Sequence, residues 1–241
     1  ILFHDMKIKS LSIFFPAYND SQSIPRLIQT ANSVAGDITN DYEILVINDG
    51  SKDDTKNIVE ELQKKYNKLK VINHSKNLGY GAALASGFRN SKKEWIFYTD
   101  GDGQYDPREL LFLLKNRKSD IDVVNGYKLR RSDNFVRKIL GCLYNFFVHL
   151  LYPIPISDID CDFRLIRGSK IKNVKLNSRG GTICLELVLK LQKNGARFVE
   201  VGVHHYEREH GHSQFFDIKN IFKMVFENFN FYFKYHFLRE I

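Results

Sequence analysis

The chain has 241 residues, 43% of them hydrophobic and 27% charged, which is enough for one substantial core with an appended element. A formal net charge of +8 and a pI near 9.2 point to an anionic partner, a condition that nucleic acid, acidic lipid and nucleotide all meet. Cys142, Cys161 and Cys184 are odd in number, widely spaced and without a C-x-x-C pair, which excludes a disulfide framework and a zinc ribbon and fits a reducing, cytoplasmic setting. The opening ILFHDMKIKS lacks the apolar core and small-residue cleavage site of a secretory signal, so no export is expected.

The first half alternates short apolar runs with helical patterns. LSIFFP reads as a strand, after which Ile24, Leu27, Ile28, Ala31, Val34 and Ala35 recur at helical spacing. YEILVIND is a second strand, and Ser51 followed three residues later by Asp54 suggests a capping box for a helix with Ile58, Val59 and Leu62 on its apolar face. KVINH, EWIFYTD and IDVVNGY are further strands, with helices from GAALASGF and RELLFLLK between them. This alternation predicts an α/β fold with a mostly parallel central sheet and helices on both faces. In such a sheet ligands bind beyond the carboxyl ends of the strands. Those ends carry Tyr18, Asn19 and Asp20, then Asp49 to Ser51, then Asn77 to Gly81, then Asp100 and Asp102.

From about Arg130 the pattern changes. Ile139 to Ser157 contains no Asp, Glu, Lys or Arg, but Asn145, His149, Pro153 and Pro155 favour an interfacial or buried helix over a membrane span. A helix runs through Ile183, Leu187 and Leu191, with Glu186 either on its surface or shaping the acceptor side. Phe215 to Ile241 is crowded with aromatics and interrupted by charges, the pattern of an amphipathic interfacial or docking helix. The chain is thereby divided into residues 1–214, a single catalytic-type domain, and residues 215–241.

Two carboxylates one glycine apart, Asp100 and Asp102, can reach the same hard cation from a turn, and Mg²⁺ or Mn²⁺ commonly takes one or two protein carboxylates plus phosphate oxygens. An ordinary solvated Asp/Gly turn is the competing reading. The segment GYGAALASG lacks the G-x-G-x-x-G spacing and no G-x-x-x-x-G-K-[ST] occurs, which argues against dehydrogenase and P-loop chemistry. His204, His205, His210 and His212 have no cysteine or acidic partner at a zinc spacing. The cluster Asp49, Asp100 and Asp102 would repel a nucleic-acid backbone, so no nucleic-acid partner is expected.

Taken together, FFPAYND, VINDGSKDDT, NLGYGAALASGF, YTDGDGQYDP and CDFRL, in this order and at these separations, resemble glycosyltransferase family 2, and most closely its polyprenyl-phosphate sugar transferases. The resemblance runs from about Leu11 to Ser213. It implies a GT-A fold, a Rossmann-like nucleotide-diphosphosugar transferase architecture, with a UDP- or GDP-sugar donor and Mg²⁺ or Mn²⁺ as cofactor. It places Pro16, Tyr18, Asp20, Asp49, Gly79 and Gly101 with the D-x-D pair in the nucleotide-sugar pocket, and Asp100 and Asp102 on the metal. Asp20 replaces a more usual glutamate. Gln104 falls near the phosphates and Asp158 near the sugar, while Asp162 stands where many relatives have glycine. The resemblance brings Arg208, followed by Gly211 and Ser213, near the diphosphate or acceptor phosphate, and the chain offers Arg130, Arg131 and Arg137 as further acceptor-phosphate cations and Arg164 beside Arg208 as a catalytic candidate, the competing reading being solvated surface charge. Tyr80 takes the place of a frequent lysine or arginine.

The function so implied is inverting, metal-dependent transfer to a dolichyl or undecaprenyl phosphate at the cytoplasmic face of a membrane, the protein being peripheral or monotopic. Self-association or a membrane-protein partner is compatible with it. The alternative is transfer to a glycan, protein or small-molecule hydroxyl, which needs a general base. Asp158 and Asp162 are the nearest candidates for that base.

Overall fold

The structure is a computed structural model describing residues 6–129, 135–210 and 227–238, with 135–140 as backbone only. Among the described residues the strands are β1 (Leu11–Ala17), β2 (Tyr42–Asn48), β3 (Leu69–Asn73), β4 (Trp95–Thr99), β5 (Val123–Lys128), β6 (Phe163–Arg167) and β7 (Phe198–Val203). Helices α1 (Ile24–Ile38), α2 (Thr55–Lys65), α3 (Tyr80–Asn90), α4 (Leu110–Asn116), α5 (Phe135–Leu151), α6 (Gly168–Ile171) and α7 (Thr182–Lys193) fill the intervals.

The strands form one sheet in the order β3-β2-β1-β4-β6-β5-β7. Every pairing is parallel except those of β6, which runs against both β4 and β5. The carboxyl ends of the other strands therefore share one rim, and the start of β6 comes to that same rim.

Burial on both faces explains why β1 is apolar without alternation. Ile13 and Phe15 join Ile24, Leu27, Ile28, Leu110 and Leu113 on one side. Phe14 faces the other, with Leu45, Ile47, Leu84, Phe88, Tyr98 and Leu187. Phe14 stacks on Tyr98 at 5.3 Å and meets Phe88 edge-on at 5.0 Å. A Cβ on Gly87 would lie 2.4 Å from the Phe14 ring, so this glycine is what seats α3 on the sheet.

One sequence reading changes, and two strands are added to it. Asp54 precedes α2 without a side-chain cap, and the expected Ser51 capping box is absent. Asp53 caps instead, accepting the Thr55 N–H at 3.0 Å, while Ser51 Oγ accepts from the Asn19 N–H. CDFRL leads into β6, and FVEVGV forms β7, two strands the sequence patterning does not announce.

Helix α5 is amphipathic. Val148, followed by Tyr152 and Ile156 past its end, packs against Leu185, Val188 and Leu189 of α7 and against Phe231. The opposite side leaves Leu143, Phe146, Phe147, Leu150 and Leu151 exposed. Residues 227–233 are helical and continue into a π-helical turn at Lys234–Leu238, with Phe229, Phe233 and Phe237 exposed. No described helix is long and apolar enough to cross a membrane. The boundary drawn at residues 214 and 215 lies outside the described residues.

Candidate active site

Four loops and the start of β6 converge at the rim. After β1 the chain turns through Asn19, whose φ of 58° is tolerated by its short amide side chain. Asn19 Oδ1 accepts the Lys52 N–H at 2.7 Å, and the Asp20 N–H donates to Thr55 Oγ1 at 2.9 Å, which binds the first loop to the second. Asp20 Oδ2 accepts the Tyr18 N–H at 2.9 Å. A cavity of about 430 Å³ opens here, lined by residues including Asn19, Asp20, Lys52, Asp53 and His210.

Asp49 follows β2 and is buried. Its Oδ1 accepts the Leu78 N–H at 2.9 Å and lies 2.6 Å from His74 Nδ1, while Oδ2 accepts the Gly79 N–H at 2.9 Å. His74 Nε2 in turn contacts Ser86 Oγ at 2.9 Å. Asp49 thus closes the glycine-rich loop onto the second strand. The loop lies against residues 178–179, where a Cβ on Gly81 would stand 2.1 Å from the Ser178 carbonyl oxygen. Glu186 is buried and anchors that neighbouring segment, accepting the Ser178 N–H at 2.7 Å and pairing with Lys190 at 2.6 Å. It is therefore not the helix-surface carboxylate that is one of its two readings.

The turn after β4 carries the two aspartates. Gly101 donates its N–H to the Pro16 carbonyl at 3.1 Å, and a Cβ there would lie 2.8 Å from that oxygen and 3.3 Å from Asp20 Oδ2. Ser23 Oγ donates to the Gly101 carbonyl at 2.6 Å. The turn is therefore pressed onto the end of β1, beside Asp20. Tyr80, the departure from a basic residue, donates its hydroxyl to Asp100 Oδ1 at 2.7 Å. Asp102 Oδ1 accepts the Gln104 N–H at 3.0 Å, and Asp102 Oδ2 pairs with Arg208.

This crowding of acids has an electrostatic signature. Burial pushes the Asp100 carboxyl well above the ordinary range, and Asp162 and Asp102 push the same way against the Tyr80 hydroxyl and Arg208. Burial likewise pushes Asp20 up to about 7, with Asp102 adding to it and the Tyr18 N–H opposing. Burial would lower Arg208, but the Asp102 carboxylate outweighs it and holds the guanidinium above its usual value.

Among the described residues no group of three or more His, Cys, Asp and Glu side chains forms a metal cage. The pair Asp100 and Asp102 fits a different kind of site. It offers hard oxygen donors on one turn, and a divalent cation would offset the burial and the acidic neighbours that raise Asp100 while taking its other ligands from water and phosphate.

Several residues expected at the site play other parts. Arg164 is fully buried and bonds the Asn125 side chain, the Ile159 carbonyl and, at 2.6 Å, the Tyr98 hydroxyl. With no exposed surface it cannot grip a phosphate, and its role is corrected to organising the interior behind the site. Gln104 donates one side-chain amide N–H to the Tyr206 carbonyl at 3.0 Å. Asp158 is buried against Lys128, accepting its N–H at 3.2 Å and lying 3.7 Å from its Nζ, so it pins the end of β5. Asp162 does come to the rim, accepting from Tyr98 at 3.3 Å and from Cys184 Sγ at 3.1 Å, which explains its influence on Asp100. Arg130, Arg131, Ser213 and the side chain of Arg137 lie outside the described residues. Among the histidines, His204 faces Glu109, His205 packs edge-on against Tyr105 at 5.1 Å, and His210 lines the cavity. His212 is outside the described residues.

Sequence reasoning missed His74, Tyr80 as a partner of Asp100, and Glu109. His74 could have been noticed as the residue immediately after β3, at the same rim. The other two give no signal in the sequence alone.

Comparison with known proteins agrees with this geometry. The profile of Glycosyl transferase family 2 matches residues 12–174. A protein of Bacillus subtilis (strain 168), named "Putative glycosyltransferase CsbB", is 30% identical over 175 residues, which are 73% of this chain and 53% of that protein. The chain thus spans about half the length of that curated relative. The crystal structure of glucosyl-3-phosphoglycerate synthase from Mycobacterium tuberculosis in complex with Mn²⁺, UDP and glucosyl-3-phosphoglycerate superposes with a TM-score of 0.68 at 16% identity, over 86% of this chain and 77% of that one. The same enzyme with Mg²⁺ and UDP gives 0.67 at 12% identity, over 88% and 77%. At these identities the likeness is one of fold, and it is a GT-A-like α/β fold.

Proposed function

The chain belongs to glycosyltransferase family 2, and we propose that it transfers a sugar from a UDP- or GDP-sugar to a polyprenyl phosphate at a membrane surface, with Mg²⁺ or Mn²⁺ held by Asp100 and Asp102. The donor and metal readings are supported by the D-x-D turn itself and by the UDP, Mn²⁺ and Mg²⁺ of the mycobacterial synthase structures. The acceptor reading rests on one observation: α5 turns an uncovered apolar row, Leu143, Phe146, Phe147, Leu150 and Leu151, to the outside. Such a row suits the boundary between headgroups and acyl chains.

A divalent ion held by Asp100 and Asp102 would supply positive charge to the diphosphate leaving group. The protein's own groups do the rest. Arg208, aimed at the D-x-D turn through Asp102, brings a second cation whose planar fork suits phosphate oxygens. The Tyr80 hydroxyl fixes the orientation of Asp100, and Asp49 holds the glycine-rich loop in place. A phosphate acceptor is already anionic, so proximity and orientation are asked to supply most of the rate and no general base is assigned.

The test is incubation of the protein with undecaprenyl or dolichyl phosphate in vesicles, Mg²⁺ and a panel of UDP- and GDP-sugars, with lipid products read by mass spectrometry. A glycosylated lipid phosphate from one donor is the expected result. Transfer to a soluble hydroxyl acceptor without lipid, and none to lipid, would replace this acceptor with the hydroxyl alternative.

A further inference from the structure

Arg208 lies two residues beyond a segment that is fastened twice to the turn carrying the aspartates. Glu109, at 7% exposure, ends the 3-10 turn Pro107–Glu109 that follows that turn. Its carboxylate accepts the His204 backbone N–H at 2.9 Å and lies 2.8 Å from His204 Nδ1. The Tyr206 N–H donates to the Gln104 carbonyl at 2.8 Å, and Gln104 Nε2 donates back to the Tyr206 carbonyl at 3.0 Å. A buried carboxylate is costly unless it is well bonded, and the bonds of this one go to the strand exit that carries Arg208.

We propose that Glu109 is a positioning residue for glycosyl transfer: by fixing His204, and with Gln104 fixing Tyr206, it holds Arg208 against Asp102 so that arginine and D-x-D pair meet the diphosphate as one unit. The rate arm of its test rests on the donor chemistry proposed above; the exchange arm does not. A residue that acts through Arg208 has nothing to contribute once Arg208 is removed. A residue that merely stabilises the fold costs the same in either background.

The experiment uses the full chain carrying Glu109→Ala, Glu109→Gln, Arg208→Ala, and Glu109→Ala with Arg208→Ala. Two quantities are read: UDP or GDP release from the nucleotide sugar with Mn²⁺, and backbone amide hydrogen exchange from His204 to Arg208 without any donor. Glu109→Ala should slow nucleotide release by about tenfold or more in the native background and by less than about twofold in the Arg208→Ala background. It should speed exchange at His204 and Tyr206 by about tenfold while β4 is unchanged. Glu109→Gln, whose amide oxygen still accepts the His204 N–H, should fall between, and it replaces Glu109→Ala if that variant does not fold. An equal rate loss in both backgrounds, or unchanged exchange at His204, overturns the inference. If the native chain releases no nucleotide, the donor reading fails instead. Exchange then tests the fastening alone: faster from His204 to Arg208 supports Glu109 as the group that holds the Arg208 segment, and unchanged rejects it.

Discussion

Asp102 is held from both sides, its Oδ1 by the Gln104 N–H at 3.0 Å and its Oδ2 by the Arg208 guanidinium. The second acid of the D-x-D pair is thus fixed in orientation by its own turn and by a strand exit a hundred residues away in sequence. Two cationic groups are available to one diphosphate from this arrangement, the arginine and the ion the acids are suited to hold.

Removing the charge of Asp102 without changing its shape separates chemistry from folding. Asp102→Asn should lower metal-dependent nucleotide release by about a hundredfold or more, the scale of losing a preorganised charge-stabilising group. Unfolding free energy in urea should change by about 1 kcal/mol or less. Unchanged kinetics would contradict the metal role.

Arg164 predicts the opposite pattern. Arg164→Ala strands Asn125, Tyr98 and Asp162 in the interior, and breaking a buried charged network of this kind costs about 3–5 kcal/mol. Denaturant melts should therefore show a large fall in midpoint. A stable variant with only weakened phosphate affinity would restore the role its motif suggests.

Asp20 gives the pH dependence. Its carboxyl, at about 7 in the folded protein against 3.8 for the ordinary group, keeps its proton in the native state after the unfolded chain has lost it. The native state then binds more protons than the unfolded one, so this group's stabilising contribution is full below pH 3.8 and is lost as pH rises toward 7. Asp20→Asn should leave stability unchanged near pH 3.5 and raise it above pH 7, as urea melts across that range will show. A variant less stable than the native protein at pH 8 would reverse this sign.

The exposed side of α5 predicts a membrane phenotype without a folding one. Phe146 and Leu150 are 63% and 68% exposed, so Phe146→Glu with Leu150→Glu should change stability by about 0.5 kcal/mol or less per site. Each side chain sunk into lipid contributes about 1.5–3 kcal/mol. Vesicle sedimentation should accordingly show weaker binding by a factor of about a hundred or more. Equal binding by both proteins would remove the support for a lipid acceptor.

The parallel half of the sheet was legible because strands buried on both faces read as unbroken apolar runs and their helices keep a one-sided apolar spacing, as Leu11 to Ala17 and Ile24 to Ile38 do. β6 was not, because FRLIR reads as a motif with an accessible arginine, and only the fold shows Asn125, Tyr98 and Ile159 closing around Arg164. β7 escaped notice because its residues are half-buried and its end runs into a polar stretch. At the site, Asp20, Asp49, Asp100 and Asp102 were readable from position and chemistry, and Arg208 only through the family resemblance. Glu109 and Tyr80 were not, since their importance lies in partners distant in sequence.

The reversed run of β6 has a practical corollary for anyone reshaping this protein. Chain entering as well as chain leaving the sheet is committed to the working rim, so inserted residues between Asp158 and Phe163 would displace Asp162 beside Asp100. The bends at Thr39–Asp41, Tyr66–Lys68 and Ser91–Glu94 join helices to strands at the far edge. A fluorophore or purification tag grafted there sits a full strand length from the acids, which makes those bends the places to begin.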